Sequence, residues 1–278
     1  MIREVAGRQN HSVKLARKLQ RKNHRRERGL LVGEGMDLLR AAVDAGASVC
    51  EILVRQGLVA ELPSSLLEAA SATGSGTCHE AASVDIGVCD EETLGYASSL
   101  GGSADVIFTC REPAWSLADL VLGERVTFYL DRVGDPGNVG TLIRSGVAFG
   151  LGGLVCSPGT ADPYGPKAMR AGMGAQFLLP VVTEVSTLDL RARLESLAAR
   201  GERVPAVLVA DPHQGDDVRT VHLETGAVVV LGAERSGPGA EWVDVRRVTI
   251  FQSRFDSLNV AMAGTILAYE LCRGRSSK

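Results

Sequence analysis

The sequence predicts an α/β protein, with a parallel sheet covered on both faces in its second half and a smaller α/β unit before it. Strand-like and helix-like runs alternate along the chain, the pattern of layered α/β folds. Two runs, Ala206-Val-Leu-Val-Ala210 and Ala227-Val-Val-Val-Leu231, are apolar throughout, as strands of a doubly covered parallel sheet are. The third observation is one junction. Val126 to Leu130 is β-branched and aromatic, Gly134-Asp-Pro-Gly137 breaks the chain, and a helical period follows from Val139 with Leu142, Ile143 and Val147 near one stripe. A strand, a tight loop and a helix in that order aim backbone amides at a ligand beyond the strand's carboxyl end. With 278 residues and 45% hydrophobic content, the chain can bury the core of one large domain or two modest ones.

Taken in order, Ser12 to Lys22 reads as a helix with Val13, Ala16, Leu19 and Gln20 on one side. Leu30 to Gly35 reads as a strand, Met36 to Ala45 as a helix ended by Gly46, and Val49 to Arg55 as a strand. Leu58 to Ala70 is expected to be helical, Ser71 to Gly76 a polar loop, and Ser83 to Val88 a strand. A composition change around Pro113 separates an α/β unit, residues 1–110, from a second domain, residues 124–278, with 111–123 as linker. In the second domain strands are expected near Val126–Leu130, Gly153–Cys156, Leu178–Val182, Ala206–Ala210, Ala227–Leu231 and Val248–Phe251. Helices are expected near Val139–Phe149, Pro166–Ala171, Leu188–Arg200 and Leu258–Arg273.

Charge is unevenly spread. Residues 1–28 hold ten Lys or Arg against Glu4 and Glu27, a balance of +8; the whole chain carries −3, which leaves −11 for residues 29–278. A cationic arm on an acidic body suits phosphate contact, and Arg17, Lys18, Arg21, Lys22, Arg25 and Arg26 are the candidate RNA-binding cations. The arm contains no Phe, Tyr or Trp, so base stacking is not its expected mode. Six scattered cysteines without a CxxC spacing argue for a reducing compartment and against structural disulfides. Cys78-His79 has no partner at metal-ligand spacing, so no metal is expected. The basic amino terminus lacks the apolar core of a signal peptide, and no run approaches ~20 apolar residues. A cytoplasmic protein is expected.

Three loops collect the candidate chemistry: Gly134–Arg144, Leu231-Gly-Ala-Glu-Arg-Ser-Gly-Pro-Gly239, and Phe251-Gln-Ser-Arg-Phe-Asp-Ser-Leu-Asn-Val260. A phosphate-binding GxxxxGK[ST] loop is excluded because no Lys follows Gly140, and the spacing Gly134, Gly137, Gly140 is not that of GxGxxG. By spacing alone, Asn138 and Ser257 read as caps of the helices that follow them. Arg144 can pair with Asp131 or Glu234, and Glu234 can be a solvated loop charge.

These three loops resemble the three motifs of the SpoU/TrmH family of SPOUT RNA ribose 2′-O-methyltransferases. Leu130-Asp-Arg-Val-Gly-Asp-Pro-Gly-Asn-Val-Gly-Thr-Leu-Ile-Arg144 is similar to the first, Gly232-Ala-Glu-Arg-Ser-Gly237 to the second and Ser257-Leu-Asn-Val260 to the third. Asp162-Pro-Tyr-Gly-Pro-Lys-Ala-Met-Arg170 and Gly174-Ala-Gln-Phe-Leu-Leu-Pro180 resemble family segments between them. The amino-terminal part, with Arg8-Gln-Asn and the basic helix before Glu34-Gly35, resembles the ribosomal-protein-like substrate-binding domain of rRNA-modifying members. Two segments differ: Ile250-Phe-Gln252 stands where the family commonly has Ile-Pro-Met, and Gly101-Gly-Ser-Ala-Asp-Val-Ile107 where relatives often have Gln-Gly.

The resemblance implies a sheet with a deep carboxyl-terminal trefoil knot, a homodimer, and S-adenosylmethionine bound by Leu231, Gly232, Ala233, Gly237, Ile250, Phe251 and Leu258. It implies a catalytic set of Asn138, Arg144, Glu234, Ser257 and Asn259, with Lys167 and Arg170 as further RNA contacts. The reaction it implies is an in-line methyl transfer from a sulfonium to a ribose 2′-hydroxyl, most simply of 23S rRNA. Alignment can supply up to about 7–11 kcal/mol of such a barrier. Because a free guanidinium keeps its proton below pH ~12, Arg144 is expected to hold the phosphate and ribose, with a neighbouring phosphate sharing the proton. A tRNA ribose methyltransferase and a non-catalytic RNA-binding or ribosome-assembly factor are the alternatives.

Overall fold

The computed structural model describes residues 1–71, 84–99, 104–234, 236–254 and 257–273. The Cys78-His79 pair, all but the first residue of the Ser71–Gly76 loop, the start of the Gly101–Ile107 segment, Arg235 of the second motif and Phe255-Asp256 of the third lie outside them. The chain divides into two compact units, Met1–Pro113 with Tyr164–Phe177, and Ala114–Pro163 with Leu178–Lys278.

The first unit is built on a mixed five-stranded sheet. Its strands are β1 (Ile2–Glu4), β2 (Leu30–Glu34), β3 (Val49–Arg55), β4 (Asp85–Cys89) and β5 (Val106–Arg111), in the order β1-β4-β3-β5-β2. β1, β4 and β3 run parallel, whereas β5 is antiparallel to β3 and β2. Helix α1 (His11–Leu19) buries Val13, Ala16 and Leu19, and the Asn10 side chain caps it by accepting from Ser12 N. The expected helix to Lys22 stops sooner, and the basic run forms a separate helix, α2 (Lys22–Arg28), ended by Gly29 in the left-handed region. α3 (Met36–Asp44) follows β2. The helix expected over Leu58–Ala70 is split at Pro63 into a 3-10 turn, Val59–Glu61, and α4 (Ser64–Ser71). β1, β5 and α5 (Glu91–Ala97) were not expected from the sequence, although Asp90 caps α5 by accepting from Thr93 N. Helix α7 (Pro166–Gly172) also belongs to this unit, despite its place in the chain.

In the second unit seven strands run parallel: β6 (Val126–Asp131), β7 (Gly153–Cys156), β8 (Val181–Val182), β9 (Ala206–Ala210), β10 (Asp216–Asp217), β11 (Ala227–Gly232) and β12 (Arg247–Thr249). Their order is β10-β12-β9-β11-β6-β7-β8. Every residue of β6 is buried, as are Ala227 to Leu231 of β11, which is why those runs are apolar without alternation. β8 is shorter than expected because Leu178 and Leu179 form a turn and bend after the 3-10 turn Ala175–Phe177, and pairing with β7 begins only after Pro180. α6 (Pro136–Phe149) starts three residues earlier than its apolar period, with Asp135 as cap and Pro136 presetting the first turn. α8 (Thr187–Ala199) carries a Ser186/Asp189 capping box, and α9 (Val260–Cys272) closes the described chain.

Helices α6 and α9 pack against each other where α9 has no side chain. A Cβ at Gly264 would lie 2.2 Å from Leu142 Cδ2 and 2.9 Å from Leu231 Cδ1. Ser145 and Thr265 bind each other through their hydroxyls at 2.7 Å across the same face. Burial pushes the Cys89 thiol up to about 11 and the Cys110 thiol further still. Among the described residues no helix is long and apolar enough to cross a membrane.

Leu142, Leu231 and Phe128 are at most 1% exposed and have little room to yield at Gly264. Gly264→Val is therefore expected to destabilise the chain by about 1–3 kcal/mol, the cost of overpacking a filled core, read as a lowered Tm in thermal unfolding. An unchanged Tm would mean that α9 does not rest on α6 this closely.

Candidate active site

Three strand ends meet at the carboxyl edge of the second sheet. β11 lies beside β6 with Leu231 opposite Leu130 and Gly232 opposite Asp131, so the loops that follow leave the sheet side by side. The first turn of α6 fixes Asn138: its backbone amide donates to the capping Asp135 carboxylate at 3.0 Å. Asn138 is therefore not the cap that spacing alone suggested, and its side chain is free for other contacts. Its Nδ2 donates to Glu234 Oε1 of the loop after β11.

Asn259 completes the group. Its Oδ1 accepts from Ala261 N at 2.9 Å and Met262 N at 3.3 Å, so Asn259, not Ser257, caps α9. Its Nδ2 donates to Asn138 Oδ1 at 3.2 Å and to Glu234 Oε1 at 3.3 Å. Spacing favoured Ser257 because a Ser, Leu, Asn run offers two caps; the chain uses the second, which also reaches the cluster. Glu234 is exposed but engaged by two amide donors, not a solvated loop charge.

A carboxylate pins the neighbouring loop from below. Asp131, 5% exposed, accepts from Gly239 N at 2.7 Å and from Arg132 Nε at 3.0 Å. Arg132 adopts φ +59, a costly conformation for a residue with a side chain. Hydrogen bonding to Asp131 and the charge of that carboxylate raise its guanidinium above the ordinary arginine value. Asp131 is thus paired with Arg132 and not with Arg144. Arg144 is exposed on α6 and makes no hydrogen bond or ion pair among the described residues.

Beside the cluster opens a recess of about 390 Å³. The expected cofactor residues Leu231, Gly232, Ala233, Gly237, Ile250 and Leu258 line it, together with Glu234 and Ser257. Phe251 does not; it is 71% exposed, and its neighbour Gln252 turns in instead. Gly232 lets the two limbs of its loop close on each other, since a Cβ there would fall 2.1 Å from Pro238 N. Sequence reasoning missed the fourth wall, Asp211-Pro-His213 at the end of β9. The signal was there: a parallel strand's carboxyl end is where such sheets bind ligands. Burial acts to raise the Asp211 carboxyl, but the amides of His213 and Gln214 and the Arg247 guanidinium outweigh it and hold it below its ordinary value. Gln252 Oε1 is buried in the wall without a hydrogen-bond partner among the described residues.

The basic residues of the first unit divide. Arg17, Lys18, Arg21, Arg26 and Lys167 are exposed, and Lys22 and Arg170 are half-buried. Arg25 must be removed from the RNA-contact set: it is 3% exposed, and its Nη1 donates to Leu19 O at 2.7 Å, closing the end of α1. The arm itself carries no aromatic residue, but Tyr96 of α5 is brought to it, with the Arg17 and Arg8 guanidinium carbons 4.3 and 4.9 Å from its ring centre. Among the described residues no group of three or more His, Cys, Asp or Glu could hold a metal ion.

The model of the SpoU rRNA Methylase family matches residues 125–269, and that of the MRM3-like substrate binding domain matches residues 10–88. The 23S rRNA (guanosine(2553)-2′-O)-methyltransferase RlmP of Bacillus subtilis is 27% identical over 97% of this chain and 99% of its own. The 23S rRNA (uridine(2479)-2′-O)-methyltransferase of Streptomyces viridochromogenes is 34% identical over 53% of this chain and 52% of its own. Among solved structures, the SpoU methyltransferase AviRb from Streptomyces viridochromogenes, in complex with AdoMet, superposes with a TM-score of 0.82 at 25% identity, over 97% of this chain and 99% of that one. The matched family segment contains all three loops that meet at Glu234 and all seven strands of the sheet that carries them: the chain belongs to the SpoU rRNA Methylase family.

Proposed function

We propose that this protein transfers a methyl group from S-adenosylmethionine to a ribose 2′-hydroxyl of 23S rRNA. The observation that carries the proposal is the convergence of Asn138, Glu234 and Asn259, from three separate loops, beside a recess of mixed apolar and polar lining that Glu234 itself walls. RlmP, which matches nearly the whole chain, and the Streptomyces viridochromogenes enzyme, which matches about half of it, act on 23S rRNA riboses by name. The match of residues 10–88 to a substrate-binding domain supports rRNA over tRNA as the target.

The residues of the recess fit the cofactor. Leu231, Ile250 and Leu258 give it apolar walls, backbone at Gly232 and Gly237 lies open to an adenosine, and the unpartnered Gln252 Oε1 offers an acceptor to a hydroxyl or amino group. Bound there, S-adenosylmethionine supplies an activated methyl on a good leaving group, so the protein's task is alignment and removal of one proton. Asn138 and Asn259 fix the Glu234 carboxylate, and with it the loop that walls the recess. Ser257 stands at the rim, where its hydroxyl can meet the ribose. Arg144, its side chain exposed and without a protein partner among the described residues, is left to bind the phosphate beside the target ribose and to stabilise the oxygen as its proton passes to that phosphate.

The homodimer belongs to the same proposal. Met262, Ile266 and Tyr269 lie on one stripe of α9 and are 63%, 37% and 51% exposed, an apolar face that a second copy would cover. The trefoil knot is part of the proposal through the family likeness alone. A cytoplasmic location is proposed from the rRNA substrate.

Tritium transfer from labelled S-adenosylmethionine to 23S rRNA tests the function. Arg144→Ala is expected to lower kcat by on the order of 10²-fold or more while leaving cofactor affinity within about threefold. Transfer by the variant at the wild-type rate would remove Arg144 from the mechanism, and cofactor binding with no transfer to any RNA by the wild type would favour a non-catalytic binder. Sedimentation is expected to give a dimer that Ile266→Asp converts to a monomer; a wild-type monomer contradicts that part.

A further inference from the structure

A second recess lies in the first unit, away from the three loops. It measures about 580 Å³ and is lined by Arg17, Lys18, Gln20 and Arg21, with His24 and the Ala97–Ser99 segment closing it. That volume is in the range of small-molecule sites. Its rim is cationic, and the side chains of Lys18 and Arg21 make no hydrogen bond or ion pair among the described residues. No carboxylate is among its lining residues, and Glu34, which lies behind Gln20, Ser98 and Ser99, is already engaged by them. Glu34, 6% exposed, accepts from Gln20 Nε2 at 3.0 Å, Ser98 Oγ at 2.7 Å and Ser99 N at 2.8 Å.

Gln20 then decides what kind of ligand fits. Its Nε2 faces Glu34, so the amide cannot be turned round without setting oxygen against carboxylate. The Oε1 is therefore a true acceptor, and it is buried with no partner among the described residues. An unpartnered buried acceptor costs roughly 1–3 kcal/mol, and a bare phosphate, itself only an acceptor, would not relieve it. A nucleotide would: its phosphate can meet Lys18 and Arg21, and, with a small shift of the side chain that uncovers Oε1 toward the recess, a base amino group or ribose hydroxyl can donate to Gln20. Beside the recess, Arg17 is held over the Tyr96 ring by a 2.6 Å bond from Nη1 to Tyr96 O, which presents a flat guanidinium on which a base can stack. Arg170 reaches the same edge, with Nη1 3.4 Å from Ser99 Oγ.

We propose that this recess takes one unpaired nucleotide of the RNA substrate, so that the first unit selects RNA by a bulge or loop and not by duplex alone. The proposal rests on the reading of the protein as an RNA-modifying enzyme. A paired nucleotide could not enter, because its Watson–Crick donors are spent on its partner and its base is held in the stack.

The test is fluorescence anisotropy with the full chain and two labelled RNA hairpins of equal length, one fully paired and one with a single bulged nucleotide. The bulged hairpin is expected to bind about tenfold tighter, a difference of ~1.4 kcal/mol. Gln20→Leu is expected to abolish that preference while leaving affinity for the paired hairpin unchanged. Lys18→Ala with Arg21→Ala, both at exposed positions, is expected to reduce the slope of log K against log salt by about 2. S-adenosylmethionine affinity should not move in either variant, which also reports that they are folded. Equal binding of the two hairpins by the wild type, or a preference that survives in Gln20→Leu, overturns the proposal. RNA methylation that persists without bulge preference sinks the recess alone, whereas absence of both binding and methylation sinks the RNA reading with it.

Discussion

Glu234 is the point on which the site turns. Its carboxylate accepts from Asn138 on the first turn of α6 and from Asn259 at the cap of α9, and Asn259 donates to Asn138 as well. Hydrogen bonds to a charged acceptor contribute roughly 1.5–3 kcal/mol when sheltered and less when exposed, so the cluster contributes modestly to stability. Its effect is on position. Three loops that each leave a different part of the sheet are tied at one oxygen, beside the recess.

Rigid parts beneath the cluster make that tie possible. The parallel pairing of β6 with β11 sets the two loops side by side, and Asp131 holds the far limb of the second loop through Gly239 N. Gly264 and Gly232 allow close approach, one of α9 to α6 and the other of the loop's two limbs. The left-handed backbone of Arg132 is a local cost, offset where its guanidinium meets a nearly buried carboxylate. Such a cost is tolerated where surrounding contacts determine the geometry.

Much of this was legible in the sequence, and the failures have physical causes. Apolar strands without alternation announced a covered parallel sheet, and the three loops of glycines or small polar residues fell at strand ends as read. Capping was misassigned because several side chains near a helix start can accept from its amides, and only tertiary contacts choose among them: Asp135 took the α6 cap and Asn259 the α9 cap, which freed Asn138 for Glu234. Contacts between residues 96 and 121 positions apart, such as Asn138 with Glu234 and with Asn259, carry no local signal. Arg25 looked like its neighbours in the basic run, yet one helical turn faces the interior and buries it. Tyr96 stacks on Arg17 from 79 residues away, so a composition count over the arm could not find it.

The most direct measurement of the central claim is a double-mutant cycle on methyl transfer with Asn138→Ala, Asn259→Ala and the pair. If both amides act through one carboxylate, either substitution alone should forfeit most of what the pair forfeits, so the double variant should lose far less activity than the product of the two single losses. Losses that multiply in kcat, with no coupling between the two positions, would contradict a shared anchor at Glu234.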